Sequence, residues 1–347
     1  MRGPIVIEWD KFVEGGGSVK LSVVIPVYNT ERWLAGCLDS VLDPACADYE
    51  VIAVNDGSTD RSGEILAAYA ARHAGRLRVI TTPNGGLGHA RNTGLEAAQG
   101  DYLLFLDSDD ALAPGAIGEM LACLDGSFDV GLFDFVAVDE QGRELSLTRG
   151  AAQSGDFTLA DCPRQLFGAP NAVNKLWRRS LFTESGIRFP DRLWFEDLAT
   201  VPRLYLHAGR FRSLERPWYR YLFRGGSIMN SSNLARNAEI IPALELVLDA
   251  WRESGRYEDF REELEYLTIF HQLLIACVRV ARRDPESPLL TRLTADFLAK
   301  FPRFRSNRYL AGMSARHRLL IALILRRRFG AVKALMALND RVRGRDR

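Results

Sequence analysis

Three carboxylates, Asp107, Asp109 and Asp110, close the apolar run Asp101-Tyr102-Leu103-Leu104-Phe105-Leu106. Asp107 and Asp109, two residues apart at a strand end, can be turned by local bending toward one ion. Their hard oxygens suit Mg2+ or Mn2+. Mg2+ commonly takes only one or two protein carboxylates and fills its other positions with phosphate and water, so a short acidic cluster is sufficient. Such an ion answers the needs of a diphosphate leaving group, whose charge grows as the bond to it breaks. A solvated acidic turn has the same spacing, so the cluster gains weight only from what accompanies it.

Three further clusters accompany it. Asp56, in Asn55-Asp56-Gly57-Ser58-Thr59-Asp60, follows the apolar run Tyr49–Val54. Its carboxylate can accept from a base N–H or a ribose hydroxyl, and the same residues equally suit a helix-capping turn. Asn84-Gly85-Gly86-Leu87-Gly88-His89-Ala90-Arg91-Asn92 combines close backbone approach with a cation. It departs from the dinucleotide fingerprint, because Gly86-x-Gly88 is followed by Arg91 where a glycine is required, which disfavours a nicotinamide-dependent dehydrogenase. Much further along, Glu196-Asp197 sits behind Trp194-Phe195. Two adjacent carboxylates in an aromatic, partly dry setting can raise one pKa toward neutrality and supply a general base. A helix N-terminus also favours such a pair through its dipole.

The elements that must position these residues alternate. Leu21–Pro26 reads as a buried strand stopped by proline. A helix capped by Asn29 or Thr30 follows, with Trp33, Leu34, Cys37, Leu38, Val41 and Leu42 on one face. Strands over 49–54, 77–81 and 101–106 enclose a helix carrying Ile65, Leu66 and Tyr69 and another over Ala90–Ala98, with 84–88 as a loop. Alternation through residues 20–125 predicts a mainly parallel sheet flanked by helices. Ligands in such sheets bind beyond the carboxyl ends of the strands, where Pro26–Asn29, 56–58, 84–91 and 107–110 all fall. Phe128–Val138 reads as one strand. From about Leu234 the pattern turns helical, with Phe260, Leu264, Leu267, Phe270, Leu274 and Val278 making an amphipathic helix. Two domains are expected, residues 1–233 and 234–347.

Taken in order, Ile25-Pro26-Val27-Tyr28-Asn29, Asn55–Asp60, Ala90-Arg91-Asn92-Thr93-Gly94 and Gly100–Asp110 resemble the family 2 glycosyltransferases of the GT-A fold. The match covers the first 120 residues well. It implies an inverting transferase, hexosyl or N-acetylhexosaminyl, working with a nucleotide-diphosphate donor, usually UDP, in bacterial polysaccharide or teichoic-acid-type synthesis. Pro26, Val27, Tyr28 and Asp56 would line the nucleotide pocket, together with Asn29 and Asn84. Arg91 and Ser108 would lie close to the nucleotide. Asp107 would approach ribose and metal, Asp109 would be the main ligand of Mn2+ or Mg2+, and Asp110 would assist. Asp197 would be the catalytic base, with Glu196 its neighbour. Arg224 and Ser227, in Tyr219–Ile228, resemble the segment that closes over the diphosphate. Lys175 and Trp177, in Asn174-Lys175-Leu176-Trp177, are acceptor-side contacts by the same likeness, and Trp194 is a sugar-stacking platform or core.

The bulk numbers set the frame. With 347 residues and ordinary apolar and charged fractions, the chain suits a globular two-domain protein. Five scattered cysteines without C-x-x-C spacing point to reduced thiols and a cytoplasmic setting, and no signal peptide is expected. The formal charge is +1, yet from Arg303 onward twelve Arg and Lys333 face only Asp340 and Asp346, a local +11 that leaves −10 for the rest. His317–Leu338 mixes apolar residues with Arg326, Arg327, Arg328 and Lys333. It reads either as a helix lying on an anionic membrane, where a lipid-linked or saccharide acceptor would be met, or as a packed helix with a solvated basic edge. Its apolar run Leu319–Leu325 is too short to span a bilayer. No nucleic-acid module is present, so no nucleic-acid partner is expected. The competing readings are a catalytically silent sugar-nucleotide-binding scaffold and a nucleotidyl transferase.

Overall fold

The apolar strand runs of the N-terminal half have no polar face, the pattern of strands covered on both sides. The computed structural model, which describes residues 19–223 and 233–345, puts them at the centre of a sheet. β1 (Leu21–Val27), α1 (Leu34–Val41), β2 (Tyr49–Asn55), α2 (Ser62–Arg72), β3 (Leu77–Thr81), α3 (Leu87–Ala97) and β4 (Tyr102–Phe105) follow one another, and the four strands pair in parallel in the order β3-β2-β1-β4. β1 is buried throughout. It does not stop at Pro26 but continues to Val27. The Val24 carbonyl accepts from the Leu106 amide, so Pro26, two residues on, faces the same side, where β4 has already ended and no N–H is required.

The helix of the third cluster begins earlier than expected, at Leu87, directly after Gly86 turns the chain at φ +95°. It packs on β1 so closely that a Cβ on Gly94 would stand 2.3 Å from Val24 Cγ1, and Val24 is buried in the strand with no room to yield. Gly94→Ala is therefore expected to destabilise the fold by about 1–3 kcal/mol, read as a lower denaturation midpoint at unchanged slope.

After β4 come β5 (Ala111–Leu112), α4 (Ala116–Cys123), β6 (Val130–Leu132), β7 (Phe135–Val138), β8 (Glu144–Thr148), β9 (Asp156–Phe157), β10 (Lys175–Arg178), α5 (Ser180–Ser185), α6 (Glu196–Leu204), β11 (Phe211–Ser213) and β12 (Tyr219–Leu222). The main sheet extends as β4-β10-β6-β11-β9, with β10 antiparallel to both neighbours; β5-β12-β7-β8 form a second sheet. The single strand expected over 128–138 is thus two strands in two sheets. The break is at Asp134, whose carboxylate accepts from the Arg149 side chain at 2.7 Å and the Gly150 amide at 3.0 Å.

By contact the chain divides into two compact units, Met1–Ser227 and Ile228–Arg347, against the expected boundary at 233/234. The second unit holds α7 (Ile240–Glu253), α8 (Arg261–Thr268), α9 (Val278–Arg283), α10 (Pro288–Lys300), α11 (Ala315–Leu325) and α12 (Phe329–Arg345), with Ile269–Cys277 winding as a π-helix between α8 and α9. The expected amphipathic helix is instead buried on nearly all sides, and even its polar Gln272 is internal, donating to Asp296 and to the Leu293 carbonyl. Among the described residues one helix, Glu258–Arg283, is long and apolar enough to cross a membrane, but 78% of its apolar window is buried inside the unit, as in a core helix. The helix read over 317–338 is broken into α11 and α12 at Arg327, which adopts φ +53°.

Candidate active site

The loops beyond β1, β2, β3 and β4 carry the polar clusters, and their side chains tie those loops to one another. Asn29, at φ +52°, accepts from the Thr59 amide at 2.8 Å. Asp56 is buried; its two oxygens each accept a backbone N–H at 2.8 Å, from Gly85 and Gly86, and Asn84 Nδ2 adds a third at 3.2 Å. Gly57 makes this approach feasible, because at φ +70° a Cβ there would meet the Asn84 amide at 2.8 Å. Ser108 is buried and accepts from Thr30 Oγ1 at 3.0 Å. Pro26 and Val27 lie within the buried strand, and Tyr28, half exposed, is the side chain of that segment that faces outward. Asn29, Asp56, Asn84 and Ser108 therefore shape the crevice as cross-ties. Converging strand ends leave backbone donors without ladder partners, and Asn29 and Asp56 satisfy those of Thr59, Gly85 and Gly86.

The acidic cluster divides in a way its spacing does not reveal. Asp110 is buried and accepts from Tyr219 Oη at 2.6 Å and from the Leu222 amide at 2.7 Å, which fastens β12 beneath the loop. Burial, then Asp107 and Asp109, push its pKa well up. Asp110 thus acts as a structural tie. Asp107 and Asp109 are half-buried.

Asp107 faces Arg91 of α3, whose guanidinium is only 1% exposed. Arg91 donates to Asp107 at 2.9 Å, to Glu196 at 3.0 Å and to Asp197 at 2.5 Å. It joins the acidic cluster to the Glu-Asp pair at the start of α6, and burial that opposes its charge is outweighed by the three carboxylates. Asp197 also accepts from the Ala172 amide at 3.1 Å. Sequence reasoning placed Arg91 beside the donor and missed this hub. The only signal for it was a lone basic residue in a small-residue helix start.

One cation cannot hold three carboxylates ionised in a dry site. Burial, and next the proximity of Asp197, raise the Glu196 pKa to about 8, with Arg91 opposing. Glu196 thus binds its proton more tightly than a free carboxyl although Arg91 lies 3.0 Å away. Folded Glu196 holds more protons than the unfolded chain between its ordinary 4.5 and about 8, so its contribution to stability is full below 4.5 and is lost as pH rises through 8. The difference in melting temperature between wild type and Glu196→Gln is expected to shift across that window in the variant's favour. A difference that is flat in pH would show Glu196 ionised throughout.

Asp107 is likewise raised, by burial first, with Arg91 lowering and Asp109 and Asp197 raising it. That surplus of negative charge is what a divalent cation relieves. Among the described residues no three His, Cys, Asp or Glu side chains form a complete metal cage. Asp107 and Asp109 do suit an ion whose other positions are filled by phosphate and water.

The expected acceptor contacts sit differently. Lys175 and Trp177 are fully buried in β10, and their polar atoms are engaged by backbone between Ala169 and Ala172, so they present nothing to an incoming sugar. Trp194 is half-buried, tilted against Phe195 at 5.6 Å. Arg224 and Ser227 lie outside the described residues.

With this geometry in hand, likeness to known proteins is informative. The sequence is 29% identical over 264 residues to the putative glycosyltransferase EpsH of Bacillus subtilis, covering 72% of this chain and 74% of EpsH. It is 30% identical over 219 residues to the poly(ribitol-phosphate) beta-N-acetylglucosaminyltransferase TarS of Staphylococcus aureus, covering 62% of this chain but only 37% of TarS. The crystal structure of TarS 1–349 in complex with UDP-GlcNAc matches with TM-score 0.57 at 22% identity, over 86% of this chain and 93% of that one. The mannosyltransferase PcManGT of Pyrobaculum calidifontis, solved with GDP-Man and Mn2+, matches with TM-score 0.50 at 16% identity, over 91% and 87%. The mixed sheet with its flanking helices is thus of GT-A type. Residues 22–185 match the family model described as glycosyl transferase family 2, and this stretch is a domain of that family.

Proposed function

We propose that the chain is an inverting transferase that moves a hexosyl or N-acetylhexosaminyl group from a UDP-sugar to a hydroxyl of a saccharide or polyol-phosphate acceptor in cell-surface polymer synthesis. The observation that carries this is the Arg91 hub, which brings the donor-side Asp107 and the Glu196–Asp197 pair to one guanidinium. Inverting transfer needs those two functions on opposite sides of the reacting carbon. The base removes the acceptor proton, the acceptor oxygen bonds to the anomeric carbon, and the bond to the diphosphate breaks on the far face. Asp197, 24% exposed against 10% for Glu196, is the carboxylate an acceptor can reach, while burial and Asp197 itself raise the Glu196 pKa. Asp107 and Asp109 would hold Mn2+ or Mg2+, which neutralises the departing diphosphate. UDP as the nucleotide and a ribitol-phosphate-like acceptor are supported by the names of the relatives above.

The test is UDP release from UDP-GlcNAc and UDP-glucose with Mn2+, with poly(ribitol phosphate) as acceptor and the product anomer read by NMR. An inverted product with UDP release is expected. Donor binding with neither release nor transfer would instead support a silent binding module, and pyrophosphate release from a nucleoside triphosphate would support nucleotidyl transfer.

We place the protein at the cytoplasmic face of an anionic membrane, held there by the turn between α11 and α12. Arg326, Arg327 and Arg328 are all exposed at that turn, and Leu319 and Leu338 on the two helices are 48% and 59% exposed. Sedimentation with phosphatidylglycerol vesicles, but not phosphatidylcholine vesicles, is expected and should be lost in the triple Arg→Glu variant. Equal sedimentation with both lipids would refute the electrostatic anchor.

A further inference from the structure

Lys175 is the least expected buried group in the catalytic unit. It is 1% exposed and begins β10. A lysine ammonium has three donors, and all three are used: on the Asn171 carbonyl at 2.5 Å, on Asn174 Oδ1 at 2.8 Å and on the Ala169 carbonyl at 3.3 Å. Asn174 is itself fixed, its Nδ2 donating to the Phe133 carbonyl at 3.1 Å. The irregular segment 169–174 is therefore nailed from within by one side chain.

What that segment delivers is one residue, Ala172, whose N–H shares its peptide group with the Asn171 carbonyl that Lys175 holds. The Ala172 carbonyl accepts from Trp177 Nε1 at 3.0 Å, and the Ala172 amide donates to Asp197 Oδ2 at 3.1 Å. With Oδ1 on Arg91 and Oδ2 on this amide, the carboxylate has one orientation. Burial lowers the Lys175 pKa to about 7 against the pull of Asp197, so the lysine stands in a dry site at a desolvation cost that a methionine of similar shape would avoid. Packing alone does not account for it.

We propose that Lys175 is a positioning residue for the catalytic base: by fastening residues 169–174 it holds the Ala172 amide on Asp197 and so aims the carboxylate that takes the acceptor proton. The proposal rests on the assignment of Asp197 as that base. Lys175 reaches the reaction only through the loop, so its loss should be felt in turnover and not in the grip on the donor, which is shaped by the ends of β1, β2 and β3.

The experiment is steady-state UDP release from UDP-GlcNAc in Lys175→Met, Trp177→Phe and Asp197→Asn, with donor and acceptor varied separately and folding checked by the melting transition. Lys175→Met is expected to lower kcat by about 10–100-fold with donor KM within about twofold, as misplacement of a reacting group does. Trp177→Phe, which keeps an aromatic ring and loses the N–H to Ala172, should show the same split at about 3–10-fold. A kcat within twofold in Lys175→Met, or a donor KM that rises as much as kcat falls, overturns the proposal. Should Lys175→Met fail to fold, Trp177→Phe decides alone, and an unchanged kcat there overturns it. Full activity in Asp197→Asn overturns the base assignment and the proposal together, whereas inactivity of Asp197→Asn with an active Lys175→Met removes only the role of the lysine.

Discussion

Asp197→Asn is expected to lower the rate of sugar transfer by about 10²–10⁴-fold, the range a positioned general base supplies, with donor KM within about threefold. The substitution is nearly isosteric, and an amide oxygen can still accept from Arg91, so the crevice keeps its shape. What goes is the atom that takes the acceptor proton. Glu196 is a poor understudy, since it is more buried and its raised pKa ties its proton down. Removing the Asp197 charge, the second cause of that raised pKa, should release the proton at lower pH, so residual activity in the variant should rise with pH along a shifted curve. A loss smaller than about fivefold, or a loss matched by weakened donor binding, would contradict the assignment.

Arg91→Met is expected to destabilise the N-terminal unit by about 3–5 kcal/mol and to abolish transfer, the largest combined effect of any single change. Breaking a buried charge cluster by deleting one member leaves the others uncompensated. Here three acidic side chains would lose at once the cation they share, two of them placed by α6 and one by the end of β4. Lysine should rescue little, because a point charge on a flexible stem cannot replace the planar fork that reaches three acceptors. A denaturation midpoint shift at constant slope would measure the loss. Adding Asp197→Asn to Arg91→Met removes one of the stranded carboxylates, so the double variant should recover part of the stability; strict additivity would show that the two side chains are not coupled. A cost below about 1 kcal/mol for Arg91→Met would mean the carboxylates are already neutral without it.

The sequence by itself determined the strand–loop alternation of the first 110 residues and the crevice to which it leads. Those signals are local: apolar runs of strand length, Asn-Asp-Gly turns and small-residue helix starts depend on neighbours within a few positions. It singled out Asp107, Arg91, Glu196 and Asp197 by their motifs, and the fold brings these four side chains together. Only the tertiary structure decided their partners. Arg91 and Asp197 are 106 positions apart and Asp110 and Tyr219 are 109 apart, and no local pattern carries a pairing that depends on the order of strands in a sheet. The same reason separates Asp110 from Asp107 and Asp109 despite adjacent spacing, because β12 approaches one carboxylate and not the others. It explains the errors too. Phe128–Val138 reads as one strand until Arg149 and Gly150 claim Asp134, and Lys175 reads as an acceptor-side contact until residues 169–174 fold over its ammonium. A side chain's type is fixed by its codon, but whether it faces solvent, a ligand or another loop is fixed by what the fold brings to it.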